Sequence, residues 1–397
     1  MYCICKTRDR ERPRQLTPVT KPPEDVLRVG QPRDRDRRAG RDLRAKRGLF
    51  SMLTYANAET AYDHFVASFG DGLPIVLPTP QRVDDLVRAS GRDPNEVLGA
   101  IFPSGTLVTV RDVAVNAVMA GLPIAAFAIA LAAVEAATDP IFNLNGIQST
   151  THHAAPLIIV SGPLAEGAGM NAACNALGQG NRANMTIGRT LRLVMMNVGG
   201  GRPGETDMSV QGSPAKAGFA YAERLDALPW PSLAQRQTGR ADATTVTLFA
   251  AEGPHMLGDH RSATADRLLH NFAETMRAPG STNACAPGEM VLAICPQHAA
   301  ILARDGFDPG TIARELFERA RNPLGFLESL GEFDDTRTRR FASAYGDPDD
   351  PQTRVPVIAL PESLIVTVTG GSTGGFSTIV PTWPASTHVF RNVRGNT

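Results

Sequence analysis

The sequence is short of lysine, cysteine and aromatic residues, and it has no long apolar run. Its five cysteines are Cys3, Cys5, Cys174, Cys285 and Cys295. Two lie in the first fifty residues, and the other three are an odd number with no CxxC pair. That excludes a disulfide framework and zinc-ribbon spacing. With no signal peptide, a reducing cytoplasm is the expected compartment. No stretch of 18 apolar residues is free of charges and breakers, so no membrane helix is expected. A Walker loop, a GxGxxG turn between strand and helix, and an HExxH helix are also absent.

What remains is globular. Hydrophobic residues make up 42% and charged residues 20%, enough for a sizeable core. A chain of 397 residues fits two domains, or one large domain with additions.

Formal net charge is zero, yet unevenly placed. Residues 1–50 carry 15 Lys+Arg and 7 Asp+Glu, and the rest carry 25 and 33. The run Arg33-Asp34-Arg35-Asp36-Arg37-Arg38 has nothing to bury and is expected to stay unfolded. Three readings of 1–51 stay open: a basic arm, a targeting peptide, or read-through upstream of a start at Met52. The third fits a chain with 36 Arg and 4 Lys. The acidic body from Met52 onward argues against nucleic acid as partner.

Short β-branched runs, each closed by proline or glycine, read as strands: Leu73 to Pro78, Pro156 to Val160, Thr244 to Phe249, Met290 to Ile294, and Ser363 to Thr369. Their near-continuous apolar character suits strands covered on both faces. Two segments share one plan of strand, proline, helix, Gly-x-Asp-Pro, helix: Leu73 to Leu98, and Met290 to Ala320. The Ala-rich stretch Val108 to Ala137 reads as two core helices split near Gly121-Leu122 by Pro123. The expected class is therefore α/β, a layered, mostly parallel sheet covered by helices in two similar halves. The halves are placed at 52–240 and 241–397, with an acidic surface excursion at 331–352.

Ligands of such folds bind beyond the carboxyl ends of the strands. One segment stands out: Asn171 to Gly201 sets Gly178, Gly180 and Gly188 among Asn181, Asn184, Arg182, Arg189 and Arg192. A glycine-rich turn entering a helix offers free N–H groups, and arginines add charge, which suits an anion. The alternative is that these glycines serve close packing and the asparagines cap turns. The loop from Gly370 and Gly371 to Gly375 follows a strand and is either a second ligand cradle or a tight turn. Cys295 stands at a strand end before a helix, with His298 three residues on, an arrangement that can activate a thiol. Cys174 could play the same part; the plain alternative is a buried apolar thiol. His153, His255 and His260 with Asp259 could form a metal set, but adjacent His152 and His153 are expected to point apart, and no metal is assigned.

The strings Asp71-Gly72-Leu73-Pro74, Asn116 to Gly121, Gly180 to Arg189, Asn197 to Gly200, and Pro296-Gln297-His298-Ala299 with Asp305-Gly306 resemble a group of bacterial proteins. These are related to, or encoded with, the UGSC-motif (seleno)protein family. The resemblance covers about 65–390. It implies thiol-linked small-molecule chemistry with a thiol- or selenol-bearing partner protein. The chain has no Cys-Gly-Ser-Cys, and Leu122 stands where a polar or sulfur residue is expected.

The expected function is a cytoplasmic enzyme acting on a small anionic metabolite, with the reaction open among lyase, hydrolase and thiol-dependent reductase. Asn181, Arg182, Asn184 and Arg189 would hold the anion with Gly178, Gly180, Gly370 and Gly371. His153 or His298 would be the acid/base group and Cys295 the nucleophile. The rival reading is a non-catalytic subunit that presents a substrate or binds a partner. Cofactor and oligomeric state stay open.

Overall fold

The computed structural model describes residues 55–330 and 341–394. The extension 1–51 and the 331–340 part of the acidic excursion lie outside the described residues. From Met52 onward the chain is one compact unit.

The first third is largely helical. α1 (Ala58–Phe69) starts at Asn57, whose side chain accepts the Thr60 amide. α2 (Pro80–Ser90) turns Val83, Leu86 and Val87 inward. A hairpin of β1 (Val97–Ile101) and β2 (Thr106–Thr109) leads into α3 (Val110–Ala120), which Thr109 and Asp112 close with a capping box. The break expected at Pro123 falls there: Gly121 ends α3, and the chain restarts as α4 (Phe127–Ala137). Both helices are buried. No single helix among the described residues is long and apolar enough to cross a membrane.

After α5 (Leu144–Ser149) come β3 (Ala155–Ser161), α6 (Leu164–Gly167), α7 (Arg182–Asn197), β4 (Ala220–Ala222), α8 (Leu233–Thr238), β5 (Thr245–Ala251) and β6 (His255–Gly258). Then follow α9 (Ala265–Met276), α10 (Thr282–Cys285), β7 (Met290–Ile294), α11 (Pro296–Arg304), α12 (Pro309–Arg319), β8 (Arg321–Pro323) and α13 (Leu324–Ser329). β9 (Arg354–Pro356), β10 (Leu364–Val368), β11 (Phe376–Pro381) and β12 (Val389–Asn392) complete the order.

Two four-stranded sheets form the centre, ordered β12-β5-β3-β4 and β10-β7-β11-β6. The class is mixed helix and strand, but the sheets are not mostly parallel. Only β3/β4 and β7/β10 run parallel; the other four pairings are antiparallel. Apolar runs mark strands but carry no direction, so this could not be read from them.

Both sheets use one plan. A first strand has its second strand parallel on one side and its third antiparallel on the other. The fourth strand crosses over: β6 follows β5 yet pairs with β11, and β12 follows β11 yet pairs with β5. The crossing is symmetrical, through a bridge of Ala251 and Thr382. There the Glu252 amide donates to Pro381 O at 2.8 Å, and the Trp383 amide to Ala250 O at 2.7 Å. On the far side the Arg224 amide donates to Val368 O at 2.7 Å.

Strand alternation decides the layers. Leu157, Ile159, Tyr221, Phe249, Val291, Ala293 and Val380 pack together between the sheets. The alternate residues Met290, Leu292 and Ile294 face outward onto Leu268, Phe272, Leu302 and Leu316 of α9, α11 and α12. Burying one such Leu or Phe contributes roughly 1.5–3 kcal/mol.

The repeated plan expected at Leu73 to Leu98 is corrected. Leu73 to Pro78 joins no sheet, since Pro74 and Pro78 lack the donors a ladder needs. The second helix expected through Leu98 is instead β1. The Met290 to Ala320 segment does form strand, helix, helix.

Candidate functional site

Parallel pairing brings carboxyl ends together, and here it does so twice. The Glu223 amide donates to Val160 O at 2.8 Å beyond β4, and the Thr369 amide to Ile294 O at 3.0 Å beyond β10. The second end carries the candidate thiol and imidazole. Cys295 is the N-cap residue of α11, Pro296 its first residue, and His298 lies in its first turn.

The histidine's state follows from its neighbours. Its Nε2 is 2.8 Å from the Asp259 carbonyl, which can only accept, so Nε2 carries a proton. Nδ1 lies 2.8 Å from Ser377 Oγ, and the same hydroxyl accepts the Cys295 amide at 3.1 Å. Ser377 Oγ thus bridges the Cys295 amide and His298 Nδ1. Burial alone would push the Cys295 thiol up, but the hydrogen bond and charge of His298, its amide and Ser377 outweigh it. The thiol lies below its ordinary value. Burial opposes the imidazolium too, yet bonding to Cys295 and to Asp259 O raises His298. The thiol is thus lowered and the imidazole raised, each with the other among its causes.

Asp259 reaches this site only because of the crossover, since it follows β6. Its amide donates to Gly375 O at 2.7 Å. Gly375 has φ 52°, and a side chain there would run into the Asp259 carbonyl. The loop from Gly370 to Gly375 is thus pinned beside the pair. Gly370 N donates to Ala172 O at 2.8 Å, and Arg224 Nη1 donates to Gly370 O and Ser372 Oγ, both at 2.9 Å. Cys174, an exposed free thiol, packs against Gly371. Cys295, His298, Gly370, Gly371 and Cys174 therefore gather at one end of the sheets. Ser377 and Arg224 were not foreseen, and Asp259 was weighed only as a member of a metal set. Ser377 sits in a strand whose neighbour in space is fixed only by pairing, and Asp259 contributes a carbonyl, which no side-chain motif reports.

The Gly178 to Arg189 segment is used otherwise than expected. Asn181 caps α7, accepting the Asn184 amide at 2.9 Å. Asn184 is buried and donates to Asn171 O at 2.8 Å and Ala176 O at 3.0 Å. Arg182 Nε donates to Gly121 O at 2.7 Å. Arg189 grips Asp71 through Nε at 2.7 Å and Nη2 at 2.8 Å, and also donates to Pro74 O. Gly178 packs against Asn175, and Gly180 turns the chain with φ 100°. These bonds tether α7 to its surroundings, as the packing and capping alternative has it, and Arg182 is exposed.

At the opposite end of β3, His152, His153 and Glu252 bring their ligand atoms within 4.8 Å of one another. The histidines do not point apart as expected. They lie in a bend before β3, outside the strand's alternation, and their rings stack at 4.6 Å and 18°. This geometry does not suit a metal ion. Lone pairs lie in the ring planes, and two parallel planes do not converge on one ion. His152 Nδ1 also accepts the Ala154 amide at 3.0 Å, which puts its proton on Nε2, facing Glu252 Oε1 at 3.0 Å. Burial and the neighbouring His152 lower the pKa of His153. Asp259, expected as a metal ligand, instead accepts the amides of Arg261 and Ser262, and His260 stands edge-on to Phe376.

Comparison with protein-family models and with curated proteins finds no match.

Proposed function

We propose that the chain is a thiol-dependent enzyme with Cys295 as nucleophile and His298 as its base, acting on a small anionic metabolite with an electrophilic acyl carbon. What carries this reading is His298 Nε2 locked on Asp259 O, which leaves Nδ1 for the thiol and Ser377. The thiol proton moves to Nδ1, and Ser377 turns from donor to acceptor. The thiolate forms a C–S bond, the bond to the leaving group breaks, and that group takes the Nδ1 proton. Water then cleaves the thioester, its hydroxyl going to the acyl carbon and its proton to the thiolate. Arg224, which holds the glycine loop, would carry the substrate's charge there.

We favour the hydrolase branch because a thiol, an imidazole and a hydroxyl suffice for acyl transfer to water. The second reading, a subunit serving a thiol- or selenol-bearing partner as the UGSC resemblance implies, draws on the exposed Cys174. Similar halves also remain part of the proposal, as a duplicated unit whose fourth strands have exchanged.

The experiment is alkylation of the native protein by iodoacetamide, followed by peptide mass at Cys295 across pH. The rate should saturate below pH 9.0, the ordinary thiol value, and His298→Gln should move the inflection upward. A Cys295 that reacts only after denaturation, at every pH, would end the proposal. Loss of labelling at Cys174 alone on adding a thiol partner would favour the second reading.

A further inference from the structure

A cavity lined by none of the thiol-centre residues has a different character. It is an open groove of about 570 Å³ between α9 and the α12–β8–β9 region, lined by four arginines, His270, Ala273, Glu274 and Glu318. The arginines are Arg277, Arg319, Arg321 and Arg354.

Three observations bear on what it takes. First, Arg277 Nη1 and Arg354 Nη2 donate to the same oxygen, the Arg321 carbonyl, at 3.4 and 3.1 Å. Guanidinium groups from two separate elements are thereby held side by side. Second, the carboxylates that pair with the other arginines sit further out. Glu274 is 44% exposed against 29% for Arg277, Glu318 68% against 17% for Arg321, and Asp266 79% against 31% for Arg319. Glu315, the second partner of Arg319, is also the more exposed of its pair. Such exposed pairs are weak, about 0–1 kcal/mol, so their acidic members can swing to water when a stronger anion arrives. Third, Arg354 has no carboxylate partner among the described residues. Arg321 is steadied separately, lying over the Phe317 ring at 4.8 Å.

We infer that this groove binds a small polyanion with two or more phosphoryl or carboxylate groups. Arg277 and Arg354 would grip one group, and Arg319 and Arg321 a second. Arginine suits this because its planar fork meets such oxyanions two bonds at a time. The groove's size is in the range of small-molecule sites, about 300–1,000 Å³, and its rim carboxylates give selectivity against monoanions such as chloride. This inference does not rest on the thiol reading.

The test is titration calorimetry of the full chain at low salt with two probes, pyrophosphate and citrate. At least one should bind saturably, and which one binds tells phosphoryl from carboxylate recognition. Arg354→Ala should weaken binding about tenfold or more, the loss of one charge-assisted pair of hydrogen bonds. Arg240→Ala removes an exposed arginine elsewhere, paired with Asp242, and should leave binding unchanged. Thermal melts check that both variants fold. Absence of saturable binding by either probe overturns the inference. So does binding that survives Arg354→Ala, or that falls equally in Arg240→Ala.

Discussion

Asp71 and Arg189 form a two-pronged ion pair across 118 positions of sequence, with bonds of 2.7 and 2.8 Å and both side chains largely buried. The pair ties the loop after α1 to the middle of α7. Removing the cation leaves a buried carboxylate alone. Arg189→Ala should therefore cost about 3–5 kcal/mol in urea unfolding. Burial alone would raise Asp71, but Arg189 and the loop amides hold it below its ordinary 3.8. Its contribution should be complete above that value and disappear as pH falls through the folded pKa. A variant of wild-type stability would contradict the pairing.

His153 gives stability a different pH dependence. Its folded pKa lies below the ordinary 6.5, first because of burial and then because of His152. The unfolded chain then takes up the proton first, so stability should fall as pH drops below 6.5, down to the folded pKa. His153→Phe keeps a ring against His152 and should flatten that part of the curve. Denaturant midpoints from pH 5 to 8 would show it.

Gly188 decides how closely α7 meets the chain before β4. A side chain there would stand 2.5 Å from the Phe219 amide nitrogen and 2.9 Å from Gly218 Cα. Backbone cannot yield as a flexible side chain does. Gly188→Ala should lose about 1–2 kcal/mol net, overpacking outweighing better helix propensity. An unchanged melting temperature would refute the contact.

Ser161 and Glu223 occupy, beside β3 and β4, the places of Cys295 and Thr369 beside β7 and β10. Ser161 Oγ donates to Glu223 at 2.5 Å, and the Leu233 amide donates to the same carboxyl at 2.8 Å. Burial raises Glu223 despite these bonds. Glu223→Gln should change stability by less than about 1 kcal/mol at neutral pH, while Glu223→Ala should cost about 1–3 kcal/mol by orphaning its partners. Equal losses in both would show that the charged form matters.

The sequence made some of this legible. Met290 to Pro296 with His298 placed a thiol and an imidazole on one helical turn by spacing alone. Pro123 and Gly121 marked the helix break. Strand direction was not legible, because Leu157 or Val291 looks the same in parallel and antiparallel ladders. Neither was the fate of Arg189: an arginine among glycines suits an anion or a distant aspartate equally, and only the fold chose Asp71. The short strands Ala220–Ala222 and His255–Gly258 carry too few residues to show a period.

The pairing of β12 with β5 bears on how the protein is made. During synthesis β3, β4 and β5 emerge early, but the outer edge of β5 has no neighbour until β12 has been translated. An open edge of that kind recruits other chains. Nascent protein should therefore be most prone to aggregate until Val389–Asn392 has left the ribosome, and a version ending at Ala385 should be insoluble even though every residue of the thiol centre is present.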